Sequence, residues 1–171
     1  RVAAIFTYKQ LLGAASTPKL ATLLKDDAVR EYALRAMTDR KSELKGVDPK
    51  WYVAALSDPN PRVVQQALVG LERLGAKDAA PAIIAASTKW KEEGKSPRLM
   101  HTAMQALESL GNTKALLAGV SNADTRWLCL KAMNELHQSE VVEGLIAKVG
   151  TSKDEELLDV LITLARLHFK E

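Results

Sequence analysis

The chain repeats itself. Residues 27–37 (DAVREYALRAM), 61–71 (PRVVQQALVGL), 97–107 (PRLMHTAMQAL) and 123–133 (ADTRWLCLKAM) align column by column without an internal gap. Each copy opens on an apolar or β-branched residue: Val29, Val63, Leu99, Thr125. Four positions on comes a small one (Ala33, Ala67, Ala103, Cys129), followed at once by a large one (Leu34, Leu68, Met104, Leu130). A second small residue (Ala36, Gly70, Ala106, Ala132) precedes a second large one (Met37, Leu71, Leu107, Met133). Leu74, Leu110 and Leu136 close the pattern a turn later, and a weaker copy over 156–167 places Val160, Leu161, Leu164 and Leu167 in the matching columns.

Within a copy the apolar spacing is that of one buried helical stripe. The first large column falls at 34, 68, 104, 130 and 161, a period in the range of helical solenoids. The small columns have a packing reason, because stacked helices approach closely only where side chains are short. Each copy is preceded by a shorter apolar segment, at 18–24, 49–56, 79–89, 114–120 and 140–149, which reads as a partner helix. Thr17-Pro18, Asp48-Pro49, Asn60-Pro61 and Ser96-Pro97 each set a capping side chain before a proline at the first helical position. Ser152 with Glu155 reads as a capping box, and Gly75, Gly111 and Gly150 stand where helices stop. No alternating run is long enough to argue a strand. The expectation is an all-α fold: a right-handed α-solenoid of helical hairpins, about five repeats plus an N-terminal half repeat over 2–12. Residues 1–171 form a single repeat domain in this reading. Because the chain opens on Arg1 and is at once helical, it reads as a piece of a longer chain.

The segment Asp58-Pro59-Asn60-Pro61-Arg62-Val63, followed by Ala67-Leu68, Leu71 and Leu74-Gly75, resembles the consensus of HEAT-like repeats of the E-Z (bilin-lyase) type. The resemblance spans nearly the whole chain. It implies an extended concave surface lined by the second helix of each pair, and it speaks to fold more than to function. A second resemblance is carried by residues 29–41 (VREYALRAMTDRK) and by Leu164-Ala165-Arg166-Leu167-His168. These are similar to the repeat region of large exported bacterial proteins that join a sugar-dehydrogenase-like propeller to HEAT repeats and a c-type haem domain. That likeness implies an exported or periplasmic parent chain whose redox chemistry lies outside this segment.

The residues that could carry chemistry are few. Cys129 is the only cysteine, which excludes an internal disulfide, a zinc site built on several thiolates and a covalently attached c-type haem. It stands in a small core column and reads as a buried, inert thiol. His101, His137 and His168 have no metal-ligand spacing, and no HExxH or His-Glu dipeptide is present. No Gly-rich phosphate loop occurs. Carboxylates gather at helix starts, as in Asp26-Asp27 and Asp154-Glu155-Glu156, where the helix dipole favours them. No catalytic residue, cofactor or metal is expected, and the segment reads as no enzyme. With 24 basic and 21 acidic side chains well mixed along the chain, the charge argues a solvated surface rather than a nucleic-acid-binding face. No apolar run approaches a membrane span; the longest, 79–86, contains Pro81.

One surface follows from the register. Positions two and six after the leading apolar residue face away from the core: Glu31 and Arg35, Gln65 and Val69, His101 and Gln105, Trp127 and Lys131. Arg35, His101, Gln105, Trp127 and Lys131 are the candidate partner surface, since Trp and Arg are favoured anchors of interfaces. A second departure is the stretch 88–95 (TKWKEEGK), which lengthens one intra-repeat turn, with Trp90 closing the end of its helix. The functional expectation is a non-catalytic scaffold or spacer that binds a protein or a neighbouring domain of the same chain. The alternatives are a bilin-lyase-like chromophore-handling protein, by family analogy, or a solenoid that grips nucleic acid.

Overall fold

The computed structural model describes residues 1–92, 97–136 and 138–167. Among them every regular element is helical. No described helix is long and apolar enough to cross a membrane. Contacts group the chain into two compact units, residues 1–76 and 77–171.

The first unit contains α1 (Val2–Leu12), α2 (Thr17–Thr22), α3 (Arg30–Thr38), α4 (Pro49–Ala55) and α5 (Pro61–Leu74), with short 3-10 turns at Gly13–Ser16, Leu23–Lys25 and Lys41–Glu43. α1 and α2 pack on α3, α3 packs on α5, and α4 packs on α5. The repeat columns supply the core: Ala33, Leu34, Ala36, Met37, Val63, Ala67, Leu68 and Leu71 are buried, joined by Leu20 and Tyr52. Gly70 lies so close to Tyr52 that a Cβ there would fall 2.1 Å from the ring, which gives the small column its reason. The Tyr52 hydroxyl donates to the Leu34 carbonyl at 2.9 Å, so the phenol ties α4 to α3 without an unpaired polar tip.

Local chemistry sets the helix ends. The Asp48 and Asn60 side chains accept from the backbone N–H groups of Lys50 (2.9 Å) and Arg62 (3.0 Å) ahead of Pro49 and Pro61. Thr17 departs from that pattern. α2 starts at Thr17 itself, continuing a 3-10 turn, and its hydroxyl is buried with no cap bond. Gly75 ends α5 in the left-handed region that glycine adopts without strain. Arg73 donates to the carbonyls of Thr38 (2.8 Å) and Asp39 (2.9 Å), closing the C-terminus of α3. Lys9 is buried on α1, where it meets the Glu43 carboxylate at 3.3 Å and donates to the carbonyls of Gly13 and Glu43.

The second unit contains α6 (Ala80–Glu92), α7 (Pro97–Leu110), α8 (Thr113–Val120), α9 (Ala123–Leu136), α10 (Ser139–Val149) and α11 (Asp154–Leu167). The longer helices form one packed series, α7 on α9 and α9 on α11, and the preceding helices another, α6 on α8 and α8 on α10. α6 also packs on α7, α8 on α9 and α10 on α11. A Cβ at Gly119 would sit 2.5 Å from the Cys129 sulfur, so the glycine leaves room for the thiol between α8 and α9. Gly111 is left-handed at the end of α7, whereas Gly150 follows α10 with helical φ and ψ. At α11 the Ser152 hydroxyl donates to Glu156 (2.8 Å) rather than pairing with Glu155, and Asp154 takes a positive φ. The stretch 88–95 is in part an added helical turn, since α6 runs to Glu92 with Trp90 buried; residues 93–96 lie outside the described residues. In α11 the columns part company. Val160 is buried while Leu161 is 46% exposed, because no described helix packs over it.

Candidate functional site

In the second unit α7 and α9 lie side by side, and their outward columns carry His101 and Gln105 on one helix and Trp127 and Lys131 on the next. His101 and Gln105 are exposed and Lys131 is half-buried. Trp127 is 54% exposed on a helix whose neighbouring Thr125, Leu128, Cys129 and Leu130 are all buried. The indole therefore does not fold back into the core. Its indole is the large aromatic surface of these outward columns.

The same two columns continue onto α11, packed beside α9, as Leu158 (58% exposed) and Ile162 (42%). Sequence reasoning left these two out. The signal lies in the weaker copy, where 158 and 162 hold the places of 31 and 35. The ridge in this unit thus runs from polar (His101, Gln105) through amphipathic (Trp127, Lys131) to aliphatic (Leu158, Ile162).

Arg35 belongs to the first unit, where α3 and α5 carry the corresponding columns. Its guanidinium lies 5.7 Å from the centre of the Phe6 ring, a cation–π contact with α1. Glu31 pairs with Arg62 at 3.0 Å, and Gln65 and Val69 are half-buried. Glu31 and Arg35 are thus engaged in internal contacts, and Arg35 is the exposed member of these columns.

The arginines at the starts of the second helices do work that the column alignment left unread. Arg30 Nε donates to the Leu24 carbonyl (2.6 Å) and Arg30 Nη1 to Asp58 (2.6 Å), and the same guanidinium also pairs with Asp27. Arg126 occupies the equivalent place in the second unit. Its Nε donates to the Val120 carbonyl (3.0 Å) and its Nη1 lies 3.5 Å from Asp159 on α11. Each arginine closes the carbonyl end of its own first helix and reaches an acid in the next repeat.

The Cys129 thiol is buried against Gly119, and burial pushes it up to about 12, so it stays protonated and closed to reagents at neutral pH. Among the described residues no group of three His, Cys, Asp or Glu side chains is arranged to hold a metal. His137 and His168 lie outside the described residues. Concavities lie on the first unit. One of about 310 Å³ is lined by Ala4, Ile5, Tyr8, Leu20, Leu23 and Val29 together with Arg1 and Lys19. One of about 630 Å³ lies around Ala14, Pro18, Lys45 and Trp51, and one of about 270 Å³ around Arg30, Trp51 and Asp58. The Arg30–Asp58 pair in the last is the inter-repeat contact already described.

No protein-family model matches the chain, and no curated protein matches it.

Proposed function

We propose that this chain is a non-catalytic helical-repeat module of HEAT-like hairpins whose second-helix face binds a protein segment or a neighbouring domain. The observation that carries the reading is Trp127, exposed on a helix whose core columns are buried, with Lys131 on the same helix and exposed Leu158 and Ile162 on α11 packed beside it. Support for the repeat architecture comes from the agreement of sequence columns with packing. Second helices follow one another (α3 on α5; α7, α9 and α11 in series), and first helices do the same (α6, α8 and α10). In such an arrangement each pair buries its stripe against its neighbours, and the outward columns of successive second helices line a shared surface.

The test is site-specific photo-crosslinking in cells of the source organism, with the probe residue placed at Gln105, Trp127 or Leu158 and, as a control, at exposed Thr22 on α2. Discrete adducts at the first three positions and none at Thr22 are the expected result. Equal labelling at all four overturns the reading. Trp127→Ala is expected to keep helicity and stability within about 0.5 kcal/mol, as surface substitutions do, while abolishing the adducts at Gln105 and Leu158. Loss of helicity instead would make Trp127 a core residue.

A further inference from the structure

The preceding helices of the second unit pack in series, α6 on α8 and α8 on α10, but in the first unit α2 and α4 lack a contact of that extent. Between them lies the hollow of about 630 Å³. Short side chains leave it open, with Pro18 and Ala21 on α2 and Ala14 on the turn before it. The connection that borders it is also long. Residues 39–48 join α3 to α4, whereas residues 111–112 suffice between α7 and α8. Extra length between repeat helices collects on one face of an array, often the face that binds. A concavity of this size, mostly apolar with a few placed polar groups, has the form of a small-molecule site.

Three side chains of the lining say what would fit. Trp51, half-buried on α4, supplies an aromatic wall on which a flat ring can lie. Thr17 is 2% exposed, and its hydroxyl has no hydrogen-bond partner. The carbonyl four residues back, that of Gly13, already accepts from Ser16 Oγ at 2.6 Å and from Lys9 Nζ at 3.3 Å. A buried hydroxyl left unpaired costs free energy that an incoming acceptor returns. Lys45 is exposed and enters no ion pair among the described residues. The acids nearest to it in sequence are engaged, Glu43 with Lys9 and Arg40, and Asp48 with the backbone N–H of Lys50. Lys50 is exposed as well, so the charge left around the hollow is positive. A carboxylate accepts from a hydroxyl and from an ammonium alike, whereas a cationic ligand would be opposed by Lys45.

We propose that the hollow between α2 and α4 binds a small aromatic carboxylate, its ring against Trp51 and its charge met by Lys45. Backbone amide NMR of the full 171-residue chain, titrated with 2-naphthoate and separately with indole-3-acetate, tests it. Saturable shifts confined to residues 14–21 and 44–52 are expected from at least one of the two. The neutral 2-naphthamide is expected to bind several-fold more weakly than 2-naphthoate, and Lys45→Gln to remove that preference. Ala21→Phe fills the hollow and is expected to abolish the shifts; where circular dichroism finds it misfolded, Ala14→Leu replaces it. Thr17→Val gives a split that a merely structural role would not. Removing an unpaired hydroxyl is expected to hold or raise the unfolding midpoint, while carboxylate binding weakens several-fold. Absence of saturable shifts with both acids overturns the proposal. So do shifts centred on Trp127 or Trp90, an amide that binds as tightly as the acid, or binding that survives in the filled variant or is unchanged in Thr17→Val. None of these outcomes bears on the crosslinks at Trp127, so this proposal and the partner ridge fail separately.

Discussion

At the scale of the residue, the structure turns on a few close approaches. Gly70→Ala places a methyl within the Tyr52 ring, and Tyr52 cannot retreat because it is fully buried and its hydroxyl is bonded to Leu34. Alanine favours a helix over glycine by about 1 kcal/mol, but overpacking of a filled core costs about 1–3 kcal/mol or more, so the clash wins. A net loss of stability in denaturant titration is the expected outcome, and a stabilised variant would show that α4 and α5 can separate. Cys129 gives a pH signature. Its thiol ionises near 8.5 in an unfolded chain and is pushed up to about 12 in the fold. Between those values the unfolded state binds fewer protons, so stability is full below the lower value and declines as pH rises toward the higher, by up to about 1.4 kcal/mol per pH unit. Thermal unfolding from about pH 8 to about pH 11 checks this, because Cys129→Ala should flatten that decline. Tyr52, whose phenol burial also pushes up, adds a fall from about pH 10 that the variant keeps. In native protein the thiol should resist thiol reagents until the chain unfolds.

At the scale of the element, the helices begin and end where side-chain chemistry satisfies their free backbone groups. Asp48 and Asn60 before prolines behave as their sequence implies. Asn60→Ala is expected to cost about 1 kcal/mol, measured as a shift of the unfolding midpoint at unchanged denaturant slope. Thr17 precedes a proline as well and does not cap, because a 3-10 turn already feeds α2 from its N-terminal side. The arginine contacts are a second kind of element chemistry. Asp58 is only 7% exposed at its side chain, so Arg30→Ala leaves a carboxylate with much of its hydration removed and its strongest partner gone. A loss of about 1–3 kcal/mol is expected, larger than that of Arg62→Ala, whose pair with Glu31 lies nearer the surface. Equal losses in the two variants would mean that the Arg30 contacts carry no more than a surface pair does.

At the scale of the whole molecule, burial is uneven across each unit, and so is the resistance to opening. α1 has Tyr8, Leu11 and Leu12 exposed, and α11 has Leu158, Leu161 and Ile162 exposed, whereas α5 and α9 are covered along their repeat columns. Amide exchange of dilute protein should be faster in α1 than in α5, and faster in α11 than in α9, because local opening of a half-covered helix exposes less new apolar surface. Uniform protection would contradict the burial pattern. The sequence by itself determined the all-helical class, the register of the core columns and most helix boundaries, because periodicity, proline and capping chemistry act within a few residues of the chain. It also determined that Cys129 would be a packing residue, since a small column in a buried stripe leaves no other place for it. Only the tertiary structure decided which outward residues stay exposed. Glu31 and Trp127 hold the same column, yet one is tied to Arg62 and the other stands in solvent with Leu158 and Ile162 on the helix beside it. That difference depends on which charged and apolar side chains the neighbouring helix supplies, and pattern along a single helix contains no record of its neighbour.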